Sequence, residues 1–125
     1  MQYSRIVADY FASPVNAGTL PGNADDVISG VAGDRALGTE VVFFLRVKDS
    51  EIAEISFQAF GCPHTIAACS LATEQLTGQP VQALVELTAR SLMEALQGPV
   101  EKMGRLLVLE DALRNCFIAW ENRRI

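Results

Sequence analysis

The order of patterns along this chain predicts an α+β fold, a small antiparallel three-stranded sheet with helices packed on one face. Three observations predict it. Strand-like runs at residues 27–31, 40–47 and 52–60 come first, and most helix-like runs follow them. Lys48, Asp49 and Ser50 form a hairpin-length turn between the second and third runs. From Pro63 onward, helical stretches are separated by Gly78, Pro80 and the pair Gly98 and Pro99, residues that stop helices.

Residues 4–12 place Ile6, Val7, Tyr10 and Phe11 at helical spacing after Ser4, a side chain suited to an N-cap, and Pro14 ends the run. Residues 13–26 are crowded with Pro, Gly, Asn and Asp, which predicts an irregular arm lying over the domain. Residues 27–31 read as a short strand. EVVFFLRV at 40–47 is rich in β-formers without alternation, as expected of a strand buried on both faces. Residues 52–60 instead alternate Ile55, Phe57 and Ala59 with Glu54, Ser56 and Gln58, the pattern of a strand with one face on a core. Antiparallel partners lie equidistant from their turn, so folding about Asp49 and Ser50 brings residues 37–39 opposite residues 60–62.

Pro63 suits the first position of a helix and Gly78 its end, which makes Cys62 the N-cap. Helical stretches are expected at 81–87 and 88–97, then a longer helix from about 106 to 121 with Leu106, Leu109, Leu113, Cys116 and Trp120 as its apolar stripe.

The 125 residues suit one domain spanning 1–125, and 50% hydrophobic with 20% charged residues places the chain among ordered globular proteins. A formal charge of −5 provides no basic surface for nucleic acid or an acidic membrane. The N-terminal residues lack the basic flank and apolar run of a signal peptide, and no stretch approaches the roughly 20 apolar residues of a membrane span. A cytoplasmic location is expected. Three irregularly spaced cysteines, Cys62, Cys69 and Cys116, argue against a disulfide framework and are expected to be reduced.

Among the residues with chemistry, Cys62 stands out, because a helix N-terminus lowers a thiol's pKa and favours the nucleophilic thiolate. A small buried cysteine is the bland alternative. His64, the one histidine, lies in the same turn. It offers a Cys-x-His pair for zinc or iron, but two ligands do not hold a structural metal and residues two apart on a helix face different ways. A solvated or core-edge imidazole is the expectation. Cys69 lies about 10 Å along the axis from Cys62, too far to share an ion, and both it and Cys116 read as core. Glu110 and Asp111 read as an exposed pair rather than metal ligands. No Ser-His-Asp set, phosphate-binding loop or dinucleotide fingerprint is present.

Tyr3-Ser4 with Val7, Asp9-Tyr10, Pro14, Asn16 and Gly18 opens the chain. Ser29-Gly30 and Gly33 precede a glycine-containing loop. Phe60-Gly61-Cys62 leads to Ile66-Ala67, Ser70, Thr73-Glu74 and Gly78, and Lys102 leads to Leu107 and Glu110-Asp111-Ala112. This ordered set resembles the iron–sulfur cluster scaffold family, the IscU and NifU N-terminal-domain proteins, along nearly the whole chain. The resemblance implies that family's fold, a non-enzymatic role in iron–sulfur cluster assembly, an iron–sulfur cluster or iron or zinc as bound metal, and partnership with a cysteine desulfurase or other cluster-assembly proteins.

The family's ligands are three cysteines with an aspartate and a histidine nearby. Matched position by position, the first cysteine falls on Leu37 and the aspartate on Thr39. The second cysteine is kept as Cys62. The histidine and third cysteine fall on Gly104 and Arg105, and the family's lysine is retained as Lys102. Iron in such clusters is held mainly by thiolates, and a guanidinium has no lone pair to donate. The degenerate set is therefore expected to hold no stable cluster by itself. Sulfur acceptance or weak iron binding at Cys62, or action beside a complete scaffold, is the first functional reading. A binding module that engages a desulfurase or co-chaperone without metal chemistry is the second. A zinc-dependent sulfurtransferase, resembling the SufU branch, is a third, although that branch uses the missing cysteines.

Overall fold

The computed structural model describes residues 3–123. Met1, Gln2, Arg124 and Ile125, which the single-domain reading included, lie outside the described residues. Three strands, β1 (Ile28–Asp34), β2 (Thr39–Lys48) and β3 (Glu51–Phe60), form one antiparallel sheet in the order β1-β2-β3. The helices are α1 (Arg5–Ala12), α2 (Pro63–Leu76), α3 (Ala83–Glu86), α4 (Ala89–Ala95) and α5 (Met103–Arg123). The expected architecture is the observed one.

The β2–β3 turn places both Asp49 (φ 54°) and Ser50 (φ 60°) in the left-handed region, as a two-residue turn needs if its twist is to match the flanking strands. The turn sets the register, and Glu40 pairs with Phe60. Residues 37–39 and 60–62 therefore meet at one end of the sheet, as the sequence predicts.

One face of the sheet carries the core. Val41, Phe43 and Leu45 of β2 point into it with Ile55 and Phe57 of β3, and the rings of Phe43 and Phe57 lie 6.5 Å apart. Helix α5 packs on β1 and β2, and α2 packs on β3. The approach of α5 depends on Gly30, where a Cβ would collide with the helix backbone at Cys116 N and Ala112 O. Asn115 Nδ2 then donates to Val31 O at 2.8 Å, which occupies one acceptor on the sheet's open edge.

Several expectations change in detail. Strand β2 is not buried on both faces. Val41, Phe43 and Leu45 are buried, while Val42, Phe44 and Arg46 on the other face are half-buried. The arm supplies that partial cover. Arg46 reaches Asp26 (2.7 Å), Glu54 (2.7 Å) and Asn23 O (2.8 Å), so a polar clamp tethers residues 23–26 beside the apolar run. The arm also adds to the edge of β3, with Phe57 N–H donating to Asn16 O (3.0 Å) and Gly18 N–H to Phe57 O (2.7 Å). β1 continues past 31 to Asp34, because pairing with β2 extends across its glycines. The stretch at 81–87 is helical only over Ala83–Glu86, and α5 starts at Met103 rather than 106.

Ser4 caps α1 by accepting the Val7 N–H (3.1 Å) and donates its own hydroxyl to Leu96 O (2.5 Å), which ties the first helix to the end of α4. Glu110 is not a surface ornament. Its Oε2 accepts the N–H of Ala89 at 2.7 Å, so a carboxylate on α5 satisfies an orphan donor in the first turn of α4. Asp111 is exposed as expected.

Candidate functional site

Four pieces of chain meet at the sheet end that the hairpin register defines. Asp34, the last residue of β1, accepts the Ala36 N–H at 2.9 Å and so starts the single 3₁₀ turn Arg35–Leu37. Gly38 (φ 95°) reverses the chain into β2, a left-handed conformation that favours glycine. Opposite Thr39 and Glu40, β3 ends in Phe60 and passes through Gly61 to Cys62 at the head of α2. The first residues of α5 close the arrangement. Together they form an open cleft of about 470 Å³ lined by Gly33, Asp34, Leu37, Thr39, Gly104, Arg105 and Val108.

All four positions singled out as degenerate ligands, Leu37, Thr39, Gly104 and Arg105, line this one cleft. They differ in environment: Thr39 is buried, while Leu37 is 86% exposed at the rim. Cys62, two residues beyond Phe60, which pairs with Glu40 at this end of the sheet, is half-buried. Its Sγ lies 3.6 Å from Thr65 Oγ1. Burial pushes the Cys62 thiol up, but Thr65, the N–H of His64 and the Arg105 side chain favour the thiolate, and together they hold it below the ordinary thiol value. Arg105, which the resemblance matches to the family's third cysteine, thus acts on the Cys62 sulfur.

The other two cysteines lie elsewhere. Cys69 is fully enclosed and burial pushes its thiol far up. Cys116, whose sulfur sits 3.7 Å from Phe43 O under β2, is pushed up to about 12 by burial.

His64 departs from expectation. It is neither solvated nor at the core edge but 1% exposed, with its ring 4.9 Å from that of Tyr3 and its Cδ2 against Gly98. Neither ring nitrogen has a hydrogen-bond partner among the described residues. Burial, then the positive charge of Lys102, holds the imidazole below its ordinary value and hence neutral. Its ring neighbours are not those of the Cys62 sulfur, so the two side chains do not form a metal-binding pair. The position explains why: the second residue of α2 turns toward Tyr3 and Gly98 rather than toward the cleft. Lys102, in the turn Val100–Lys102, acts on His64 and is not a lining residue of the cleft. Among the described residues no group of three His, Cys, Asp or Glu side chains is placed to hold a metal ion.

Sequence reasoning missed three contributors. Asp34 and Val108 line the cleft without occupying any family ligand position. Asp34 carried a local signal, an aspartate two residues before Ala36 at a turn ending in glycine. Thr65 carried another, a hydroxyl at the third helical position behind Cys62. The Arg105 contact with Cys62 had none, because it joins distant parts of the chain.

The chain is thus an α+β domain with a cleft between the end of β1, the start of β2 and the start of α5, and comparisons with known proteins give its family. The NifU-like N terminal domain family model matches residues 2–125. The chain is 37% identical over 117 residues to iron-sulfur cluster assembly scaffold protein IscU 1 of Archaeoglobus fulgidus, covering 93% of this chain and 74% of that protein. It is 30% identical over 125 residues to the scaffold protein IscU of Escherichia coli, covering 99% and 98%. A crystal structure of a putative iron-sulfur cluster assembly scaffold protein for the SUF system from Fervidobacterium islandicum superposes with TM-score 0.57 at 22% identity, over 95% of this chain and 91% of that one. The NifU-like N-terminal structure from Brucella abortus gives 0.56 at 14% identity, over 94% and 88%. The chain belongs to the IscU/NifU N-terminal domain family.

Proposed function

We propose that this protein acts in iron–sulfur cluster assembly as a scaffold-type protein whose cleft carries sulfur on Cys62 rather than a complete cluster. The observation that supports this reading is the pairing of Cys62, the one half-buried thiol of the three, with Arg105 at the mouth of a cleft that offers no other thiolate. An iron–sulfur cargo takes thiolate ligands. With Leu37 and Arg105 where the family has cysteines, the donor set does not fit a cluster held by this chain alone, and no step is assigned to one.

The chemistry left to the site is sulfane-sulfur transfer. The Cys62 thiolate attacks the outer sulfur of a persulfide on a donor cysteine. A new S–S bond forms at Cys62, the donor's S–S bond breaks, and the donor cysteine departs as a thiolate. The sulfane sulfur changes carrier with no external oxidant or reductant. The helix N-terminus and Thr65 favour the anionic form of the attacking sulfur. One sulfur per chain is carried and passed on, a stoichiometric role. The fitting donor is a cysteine desulfurase, by analogy with the cluster-assembly role that the relatives' names carry.

The test is to incubate the reduced protein anaerobically with a desulfurase and cysteine, then locate added sulfur by peptide mass analysis. The expected result is one sulfur on Cys62 and none in Cys62→Ser. Sulfur confined to Cys69 or Cys116, or absent, overturns the reading.

The exposure of Leu37, 86% at the rim of the cleft, favours a second reading, a binding module that docks a cluster-assembly partner without chemistry. Under it Cys62→Ser keeps full partner binding and function in cells, whereas under the first reading binding survives and function is lost.

A further inference from the structure

We propose that Arg105 sets the charge selectivity of the cleft, so that it admits anionic sulfur species beside Cys62 and turns away divalent metal ions. The inference rests on the sulfur-carrying reading for its substrate and on the cleft geometry for its charge. Seven residues line the cleft and only two carry charge, Asp34 and Arg105. They are not equivalent. Asp34 spends one carboxylate oxygen on the Ala36 N–H at 2.9 Å, within its own turn. Arg105 lines the cleft from the first turn of α5, where its charge favours the Cys62 thiolate. The remaining lining, Gly33, Leu37, Thr39, Gly104 and Val108, is uncharged, so Arg105 and the N–H groups of His64 and Thr65 at the head of α2 supply the positive potential near Cys62. Among the described residues, no other cation lines the cleft. Arg35 is held by Glu40 (3.2 Å) and lies over the Phe60 ring, and Lys102 faces His64.

A cysteine at position 105 would bring a second thiolate and an attraction for cations. Arginine reverses that sign. A guanidinium stays protonated at every accessible pH and forms directional bonds to anions, so it pairs first with the thiolate and then with the terminal sulfur of the persulfide formed there. A ferrous or zinc ion approaching Cys62 meets a fixed positive charge beside its only sulfur ligand. Arg105 is thus a specificity-determining residue for the transfer step.

The test separates charge from reactivity by comparing two alkylating reagents on the same thiol. Iodoacetate is anionic and iodoacetamide neutral, and both react with the thiolate, so the ratio of their rates at Cys62 cancels the thiolate fraction and reports the local potential. The ratio is expected to fall about fivefold in Arg105→Gln, the effect of one unit charge near 4 Å in a largely aqueous setting, and to stay near the wild-type value in Arg105→Lys. High salt should compress the difference. Zinc, added as a probe, is expected to inhibit alkylation of Cys62 at lower concentration in Arg105→Gln than in either charged form. An unchanged rate ratio in Arg105→Gln overturns the inference, as does a ratio that Arg105→Lys fails to rescue. A wild-type chain that shows the Arg105-dependent ratio but takes no sulfur from a persulfide donor defeats the sulfur-carrying reading alone. A chain that accepts sulfur with the same ratio in wild type and Arg105→Gln defeats this inference alone.

Discussion

Cys62, Cys69 and Cys116 have the same side chain and three different chemistries, decided by where the backbone leaves each sulfur. Two are sealed in the core, where burial disfavours the thiolate and bars reagents, and one sits at a helix start with hydrogen-bond donors around it. Iodoacetamide applied to the native protein near neutral pH is expected to label Cys62 first and to leave Cys69 and Cys116 unmodified until the fold opens. Equal labelling of the three in the native state would contradict the burial described. His64 makes a second residue-scale prediction. Its folded pKa is depressed, so below its ordinary value of 6.5 the unfolded chain binds a proton that the folded chain refuses. Stability is then full above that pH and declines as the pH falls through it, by at most about 1.4 kcal/mol per pH unit for one proton. The groups facing the ring, Tyr3 and Lys102, provide no acceptor that reverses the sign. Denaturant unfolding of His64→Leu between pH 7 and 5 should lack that part of the slope. A slope identical to wild type would assign the acid sensitivity to other groups.

At the scale of elements, the placement of α5 is the decisive contact, because it carries Gly104 and Arg105 to the cleft and Glu110 to the start of α4. That placement depends on Gly30. A methyl group there would press on the helix backbone rather than on a side chain able to rotate away. Gly30→Ala is expected to cost about 1–3 kcal/mol by overpacking, read as a lower denaturant midpoint. The same change should also move Arg105 away from Cys62, lowering the iodoacetate preference of Cys62 even in molecules that remain folded. A variant of wild-type stability and wild-type preference would show that α5 does not depend on this approach. The strands and the hairpin follow from local signals such as the Asp49 and Ser50 turn and the alternation through Ile55, Phe57 and Ala59. The lean of α5 on β1 does not, since a glycine in a strand marks a close approach without saying by what.

At the scale of the whole molecule, the four positions that the resemblance matches to the family's ligands, Leu37, Thr39, Gly104 and Arg105, line one cleft, and none of them carries a thiolate, carboxylate or imidazole. Leu37→Cys, Thr39→Asp, Gly104→His and Arg105→Cys made together should therefore create a metal site, since the four positions already surround one cavity beside Cys62. Anaerobic reconstitution with iron and sulfide is expected to leave no stoichiometric cluster on the wild-type chain. The quadruple variant should gain one that survives desalting, followed by visible absorption. A folded quadruple variant without metal would show that the cleft walls no longer have scaffold geometry. Periodicity, capping and turn chemistry act over a few residues, so the sequence by itself determined the order of strands and helices. It also determined the hairpin and the meeting of residues 37–39 with 60–62, and the position of Cys62 at the head of α2. Only the tertiary structure decided that His64 turns into the core against Tyr3, that Glu110 caps α4, and that the charge of Arg105 acts on the Cys62 sulfur. Each of those depends on how helices pack across the sheet, a long-range geometry set by side-chain volumes summed over the whole core and written in no single stretch of the chain.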